Sequence, residues 1–288
     1  MKPAPFDYVA PRSLNHALDL MSLDSQDVKV IAGGQSLIPV LNMRMNHPDI
    51  LVDVCRLEES RKYDVDDSES LVIGAGITQS HVHSDPTVRR DWPLLAAGIG
   101  FIGHPQIRNR GTVCGSLAHA DPAAEIPALA VLMDAAATVA RATGVREIGA
   151  SDFLVGTFAT ALEPEDLLLE LKFPSQPPGS GWSFQEFSRR PGDFAAAGVA
   201  IRLSRDSRVA DDARVVFFGV GQIPVRARAV EQLINGQTVD PDLIVAAQSL
   251  VPTEISPGSD IHGSSDFRTE ISIELLGLGL AEAWERSS

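Results

Sequence analysis

The apolar run Val28-Lys29-Val30-Ile31 empties into Gly33-Gly34-Gln35-Ser36. Glycine lets a backbone approach closely and tolerates positive φ, so such a turn presents consecutive N–H groups to an anion, and Ser36 adds a hydroxyl. This is phosphate-cradling chemistry. The spacing is neither GxGxxG nor GxxxxGK(S/T), so neither a Rossmann fold nor a P-loop is supported. Taken alone, the segment reads as readily as a tight strand-to-helix turn. A second segment, His104 to Pro122, changes the balance: Gly111, Thr112, Gly115 and Ser116 again offer amides and hydroxyls, and Asp121 and Glu125 follow as acceptors. Two donor-rich loops suit a dinucleotide, whose pyrophosphate needs donors of little bulk and whose sugar hydroxyls donate to carboxylates. Ile102 and Leu168 offer apolar contact to a flat ring system.

Other reactive residues support less. His81, His83, His104 and His119 form no HExxH or similar metal-ligand spacing, and a loop or surface role is expected for each. Asp121 and Glu125 are spaced like a general acid/base pair, yet carboxylates after a helix boundary more often cap or accept hydroxyls. Arg108, Arg110, Arg189 and Arg190 suit either a planar ligand or an interface, with solvated surface charge as the plain alternative. No GxSxG elbow or Cys-His arrangement is present. Cys55 and Cys114 are the only cysteines and form no CxxC, which leaves no disulfide framework and no iron–sulfur cluster within this chain.

These residues need elements to hold them. Ser13 precedes Leu14, Ala17, Leu18 and Met21 at helical spacing, and strands are expected at 28–31 and 50–54, with a short helix or turn at 37–41. The opening 55 residues thus read as a small β-α-β-like lobe. A strand at 71–73 and buried helices at 93–99 and 123–133 follow, and the glycine-broken 104–122 segment is expected to be irregular. Asp166 to Phe173 reads as a strand, and Ser175-Gln176-Pro177-Pro178-Gly179-Ser180-Gly181 as a linker. Beyond it, strands are expected at 195–203 and 213–220, helices at 227–233 and 241–249, and a terminal amphipathic helix at 271–286.

A chain of 288 residues, 44% hydrophobic and 22% charged, has the composition of a folded globular protein of one large or two modest domains. With 24 Lys and Arg against 38 Asp and Glu the formal charge is -14, which argues against a nucleic-acid partner. No stretch approaches the ~18 apolar residues of a membrane span, and prolines and an acid occupy the start where a signal peptide needs an apolar run. A cytoplasmic location is expected.

The motifs, in order, resemble a known family: the FAD-binding or medium subunits of molybdenum hydroxylases, akin to the carbon monoxide dehydrogenase flavoprotein and the FAD domain of xanthine dehydrogenase. The resemblance rests on Phe6-Asp7-Tyr8, on Ala32-Gly33-Gly34-Gln35-Ser36-Leu37-Ile38-Pro39 continued by Leu41-Asn42-Met43-Arg44, and on Ile102 to Thr112. It continues in Gly115-Ser116, Asp121-Pro122, Glu125-Ile126-Pro127 and Ser188-Arg189-Arg190-Pro191-Gly192-Asp193-Phe194-Ala195. It covers nearly the whole chain.

The resemblance implies an α+β fold, with a two-lobed FAD-binding domain of the vanillyl-alcohol oxidase (PCMH) type over residues 1–175, its lobes being about 1–55 and 56–175. A small C-terminal α+β domain of the CO dehydrogenase flavoprotein type would occupy 176–288. It implies cofactor contacts from Ile31, Ala32, Gly33, Gly34, Gln35, Ser36, Leu37, Thr112, Gly115 and Ser116 around the pyrophosphate. Ile102, Ala118, His119, Asp121, Glu125 and Leu168 would surround the remaining FAD surface, with Phe194 near the isoalloxazine. It further implies a small iron–sulfur subunit, a large molybdopterin subunit and a dimer of heterotrimers, with no catalytic residue and no metal in this chain. The chain departs from the pattern in two places: Gln185-Glu186 stands where many relatives carry a lysine, and Cys114 occupies a position expected to be a small loop residue. A self-sufficient FAD oxidase or dehydrogenase and a non-catalytic assembly protein of the same fold are the alternatives. No nicotinamide-binding motif is present, which favours a quinone, cytochrome or oxygen acceptor over NAD.

Overall fold

In this computed structural model, which describes residues 2–288, short apolar runs separated by turn residues become four sheets, one of them only two-stranded, with helices between them. The first lobe runs β1 (Asp7–Val9), α1 (Leu14–Met21), β2 (Val28–Ile31), α2 (Leu37–Asn42) and β3 (Ile50–Asp53), and its strands form a parallel sheet in the order β1-β3-β2. Ser13 caps α1 by accepting from His16 N–H, and Ala17, Leu18 and Met21 turn inward, as their helical spacing requires. The expected β-α-β-like lobe is present, with β1 as an additional strand that three residues cannot announce by periodicity.

The second lobe comprises β4 (Tyr63–Val65), β5 (Leu71–Gly74), α3 (Gln79–Ser84), α4 (Pro86–Asp91), α5 (Pro93–Phe101), α6 (Pro105–Arg108), α7 (Val113–His119), α8 (Glu125–Leu132), β6 (Ala136–Arg141) and β7 (Gly144–Gly149). It closes with α9 (Ala150–Phe153), β8 (Leu154–Gly156), β9 (Ala159–Thr160) and β10 (Leu167–Phe173). Its main sheet is antiparallel, ordered β4-β5-β10-β6-β7, so the last strand returns to the centre. α8 is buried along its entire length and shows no amphipathic stripe because it is surrounded.

The 104–122 segment corrects an expectation: it is mostly helical, as α6 and α7. Gly115, Ser116 and His119 are poor helix formers. The helix forms because Thr112 caps it, its hydroxyl accepting from Gly115 N–H at 3.0 Å, and because Val113, Cys114 and Leu117 face the core. Cys114 is therefore a buried helix residue and not a loop one, its thiol donating to Ile73 O at 3.2 Å. Burial raises both thiol pKa values, and half-buried Cys55 is pushed up to about 11.

After Phe173 the 174–180 stretch is irregular but tied down, with Trp92 Nε1–H donating to Phe173 O and Pro174 O. There follow β11 (Gly181–Phe187), β12 (Ala197–Asp206), β13 (Val209–Phe218), β14 (Val225–Arg226), α10 (Arg228–Ile234), α11 (Pro241–Glu254) and α12 (Ser265–Arg286). The strands form an antiparallel sheet in sequence order. α12 packs on β11 so closely that a Cβ on Gly181 would lie 1.8 Å from Ala283 O. One core gathers Ala197, Val199, Ile201 and Phe217 with α10, α11 and α12. A larger one joins Phe184, Ala195, Ala200, Val216 and Phe218 to α5, α8 and the second-lobe sheet.

Candidate functional site

Between the first lobe, the second lobe and the turn before β12 lies a cavity of about 450 Å³. Its floor is where the two glycine segments meet. A Cβ on Gly33 would lie 2.2 Å from Arg110 O and 2.7 Å from Gly111 Cα, so the first turn is pressed against the second, backbone to backbone. Gly34 sits at φ +73°, the left-handed region where glycine carries no penalty. Beyond it the amides of Gly33, Gly34, Gln35, Ser36 and Leu37 donate to no acceptor among the described residues, and the Ser36 side chain makes no capping bond to α2. Five successive free N–H groups on a cavity wall form an anion nest.

The second segment behaves differently, and the expectation of exposed amides there needs correction. Gly111 N–H donates to Ile107 O at 2.7 Å, Gly115 N–H to the Thr112 hydroxyl and Ser116 N–H to Thr112 O. Those three donors hold α6 and α7 together, while Thr112 N–H donates to no acceptor among the described residues; what this segment chiefly offers the cavity is closeness of approach. Gln79, at the start of α3, completes the clamp: its backbone N–H donates to Gly111 O at 2.8 Å, while its buried Oε1 finds no partner among the described residues. A buried, unpartnered acceptor at a cavity wall is costly unless a ligand satisfies it.

Farther along the trough, Asp121 Oδ1 accepts from Ala123 N–H at 2.9 Å, which is turn-capping geometry and not that of an acid/base pair. His119 is half-buried against Phe158, ring centroids 5.0 Å apart, and its pKa is lowered by burial, against Asp121, which raises it. Glu125 opens α8, is 6% exposed, and makes no ion pair among the described residues; burial pushes its carboxyl up to about 7. Arg108 spends Nη1 on the carbonyls of Gly100, Ile102 and Gly103, which makes it a structural tie under the trough. Gly192, at φ +86°, packs on Gly103 and His104 and brings Phe194, 68% exposed, to the rim.

Of the residues expected at a site, Ile31 to Leu37, Ile102, Thr112, Gly115, Ser116, Ala118, His119, Asp121, Glu125 and Phe194 all line this one cavity. Leu168 does not: it is buried in β10, paired with Val139. The lining also includes Lys29, Val30, Gly103, Ile107, Gly111, Ala124, Gly192 and Asp193, most of them neighbours of the sequence motifs. Gln79 carries no such signal, because its contact with Thr112 spans 33 residues of chain.

Residues 4–176 match the family described as "FAD binding domain in molybdopterin dehydrogenase", and residues 182–283 match "CO dehydrogenase flavoprotein C-terminal domain". The chain belongs to the FAD subunits of the molybdenum hydroxylases. It is 38% identical over 291 residues to the 6-hydroxypseudooxynicotine dehydrogenase complex subunit alpha of Paenarthrobacter nicotinovorans, covering 100% of this chain and 97% of that one. To the carbon monoxide dehydrogenase medium chain of Hydrogenophaga pseudoflava it is 30% identical over 99% of both chains. Among solved structures, a carbon monoxide dehydrogenase from Hydrogenophaga pseudoflava superposes with a TM-score of 0.96 at 32% identity over 100% of both chains. Quinoline 2-oxidoreductase from Pseudomonas putida 86 gives 0.94 at 34% identity over 99% of both.

As a molybdenum-hydroxylase flavoprotein, this chain is an oxidoreductase subunit that carries FAD, and its relatives work as subunits of larger complexes. The cavity fits that cofactor by its own geometry. An anion nest stands at one end, an unsatisfied Gln79 acceptor and the carboxylates Asp121 and Glu125 line the wall, and an exposed aromatic stands at the rim. No helix among the described residues is long and apolar enough to cross a membrane.

Proposed function

We propose that residues 1–175 form the FAD-binding domain and 176–288 a C-terminal domain that completes the cofactor's trough, and that the five free amides from Gly33 to Leu37 hold the pyrophosphate. That run of amides, facing a cavity beside a second glycine segment, is the observation that carries the assignment. Ser36 Oγ adds a donor, and Gln79 Oε1 accepts from the ligand. The free oxygen of Asp121 accepts a sugar hydroxyl. Ile102 and Phe194 cover apolar ring surface, and Ile31, Ala32, Thr112, Gly115, Ser116, Ala118, His119 and Glu125 line the rest. Leu168 shapes the site only through the strand it packs in.

When bound, the flavin accepts electrons reversibly, receiving them from the iron–sulfur clusters of a small partner and yielding them to an external acceptor, while a large molybdopterin partner performs hydroxylation. This chain's residues bind the cofactor, orient it and shield one side from water. The working assembly is a dimer of heterotrimers in the cytoplasm. Support comes from the full-length similarity to subunits of such complexes and from a charge of -14 with no membrane-spanning helix among the described residues.

An absorption spectrum with metal analysis of the natively purified protein tests the reading. Flavin bands together with iron and molybdenum in two co-purifying chains are expected. A stoichiometric flavin on an isolated chain that substrate alone reduces would replace this reading with a self-sufficient flavoenzyme.

A further inference from the structure

Phe194 stands at the rim of the trough, 68% exposed, so packing around the ring does little to fix where it lies; its backbone must do so. The turn that carries it, residues 188–196, is bonded mostly to itself. Asp193 N–H and the Ser188 hydroxyl both donate to Arg190 O, and Ala196 N–H donates to Phe187 O at 2.8 Å. On the side of the second lobe, Gly192 packs against Gly103 and His104. On the other side a buried cation takes hold of the turn. Arg268, early in α12 and 7% exposed, donates from Nη1 to Ala196 O at 2.5 Å and to Gly219 O at 3.1 Å. Its Nη2 donates to both carboxylate oxygens of Asp260 at 2.9 Å. Asp260 is itself held, its Oδ1 accepting from His262 N–H at 2.8 Å and from Gly263 N–H at 3.1 Å. Gly219, at φ +74°, lies against the carbonyls of Ala195 and Ala196, and its N–H reaches Pro122 O beside the trough.

We propose that Arg268, held by Asp260, is a positioning residue for the flavin site: it fixes the turn that sets Phe194 over the trough and so governs how far small solutes reach the flavin ring. The two hydrogens of Nη1 go to carbonyls of two different turns, Ala196 between β11 and β12 and Gly219 between β13 and β14. The turns are thereby locked together two residues from Phe194, where the second of them is tied to the trough wall through Pro122. A planar fork does this where a lysine would not, because an ammonium is a point donor on a flexible stem and cannot hold two carbonyls and a carboxylate in fixed directions. An apolar side chain would leave both carbonyls without this donor. The guanidinium is also aimed at these contacts at some cost. Its Nε is buried and has no partner among the described residues, while the outer nitrogens make four hydrogen bonds. Asp260, with its side chain 51% exposed, supplies the countercharge that allows a cation to be buried there.

The inference rests on the FAD reading above, and the experiment separates the two. Flavin fluorescence of the loaded complex is quenched with acrylamide, an uncharged probe, and the flavin's visible absorption band and the melting temperature are recorded alongside. Phe194→Ala sets the reference for a trough without its aromatic rim. Arg268→Gln and Asp260→Asn are expected to raise quenching and shift the band in the direction that Phe194→Ala does, and Arg268→Lys to recover only part of the difference. The deciding measurement places Arg268→Gln in the Phe194→Ala background. With the ring already gone, loss of the clamp is expected to add nothing to quenching while still lowering the melting temperature, the non-additivity of residues that act through one another. Wild-type quenching in both Arg268→Gln and Asp260→Asn, or an increment as large in the Phe194→Ala background as in the native one, overturns the positioning role alone. Should Arg268→Gln fail to fold, the same cycle run with Asp260→Asn, at a half-exposed side chain, decides by the same criteria. A native protein without flavin overturns the cofactor reading and this proposal together.

Discussion

A methyl group on Gly33 has nowhere to go: its nearest neighbours are the backbone of Arg110 and Gly111, which are themselves fixed by α6 and by Gln79. Gly33→Ala is therefore expected to cost about 1–3 kcal/mol, as overpacking does, and to abolish flavin retention because it separates the two segments that form the trough floor. Thermal melting and the flavin-to-protein absorbance ratio check this; a stable, fully loaded variant would sink the close-approach argument. The sequence showed where the glycines were, but not which of their properties mattered. At Gly33 it is the missing side chain and at Gly34 the positive φ, while the amides of Gly111, Gly115 and Ser116 in the second segment are used internally. A different residue effect operates at Asp166, whose side chain is fully buried between Arg141 and Arg146. Burial pushes its carboxyl up, but the Arg146 guanidinium, the Glu163 amide and Arg141 outweigh that and hold it at about 2. Because the folded value lies below the unfolded one, this contribution is present above about pH 4 and is lost as pH falls through about 2. Asp166→Asn should destabilise by about 2 kcal/mol at neutral pH, less than the loss of one partner of a wholly buried pair because the Arg146 side chain is 40% exposed. The difference from wild type should shrink in acid; a denaturation series at several pH values decides.

α7 is the element on which local signals and tertiary structure disagree most. Its seven residues, Val113 to His119, include a glycine, a serine and a β-branched residue, so propensity argues against a helix. Two long-range facts reverse this: Ile77 O accepts from Val113 N–H, and a buried face formed by Val113, Cys114 and Leu117 closes on β5 and β10. The cap matters because a two-turn helix has little else to offset its nucleation. Thr112→Ala should cost about 1 kcal/mol and weaken flavin binding, whereas Thr112→Ser, which keeps the hydroxyl acceptor, should restore most of both. Equal loss in the two variants, read by melting and flavin titration, would show that the Thr112 methyl and not its cap supports the trough. The same reasoning explains other elements the sequence concealed. β1 has three residues, β11 mixes Gly181, Ser183, Gln185 and Glu186 with aromatics, and β6–β7 alternates weakly, so each is fixed by its neighbours in a sheet. Strands with strong apolar runs, such as β10 and β12, were legible because they are buried on one or both faces, and β2 because its three apolar residues are half-buried.

Across the whole molecule, the linker after Phe173 divides the sequence more clearly than it divides the packing. Phe184 lies 5.2 Å from Phe101 of α5 and 5.4 Å from Phe218 of β13, so an aromatic stack runs from the second lobe into the C-terminal sheet. Gly198 allows it, since a Cβ there would fall 2.1 Å from the Phe218 ring. Around this stack, Asp134 pairs with Arg214 and Arg226, Arg214 donates to Leu132 O, and Gly219 N–H reaches Pro122 O beside the trough. The large core thus loses five apolar residues if the C-terminal portion leaves. Unfolding of one part exposes the other's surface, and with shared burial of this kind the two parts should melt together. Calorimetry of the flavin-free chain is expected to show one transition, with calorimetric and van't Hoff enthalpies in a ratio of about 1. Phe218→Ala should remove about 3–5 kcal/mol and, by leaving a void between the two parts, split that transition or broaden it. Two resolved transitions in the wild type would mean that the parts are energetically independent. The position of Phe194 over the trough would then depend on the local hydrogen bonds around Ala196 and Gly219 and not on the shared core.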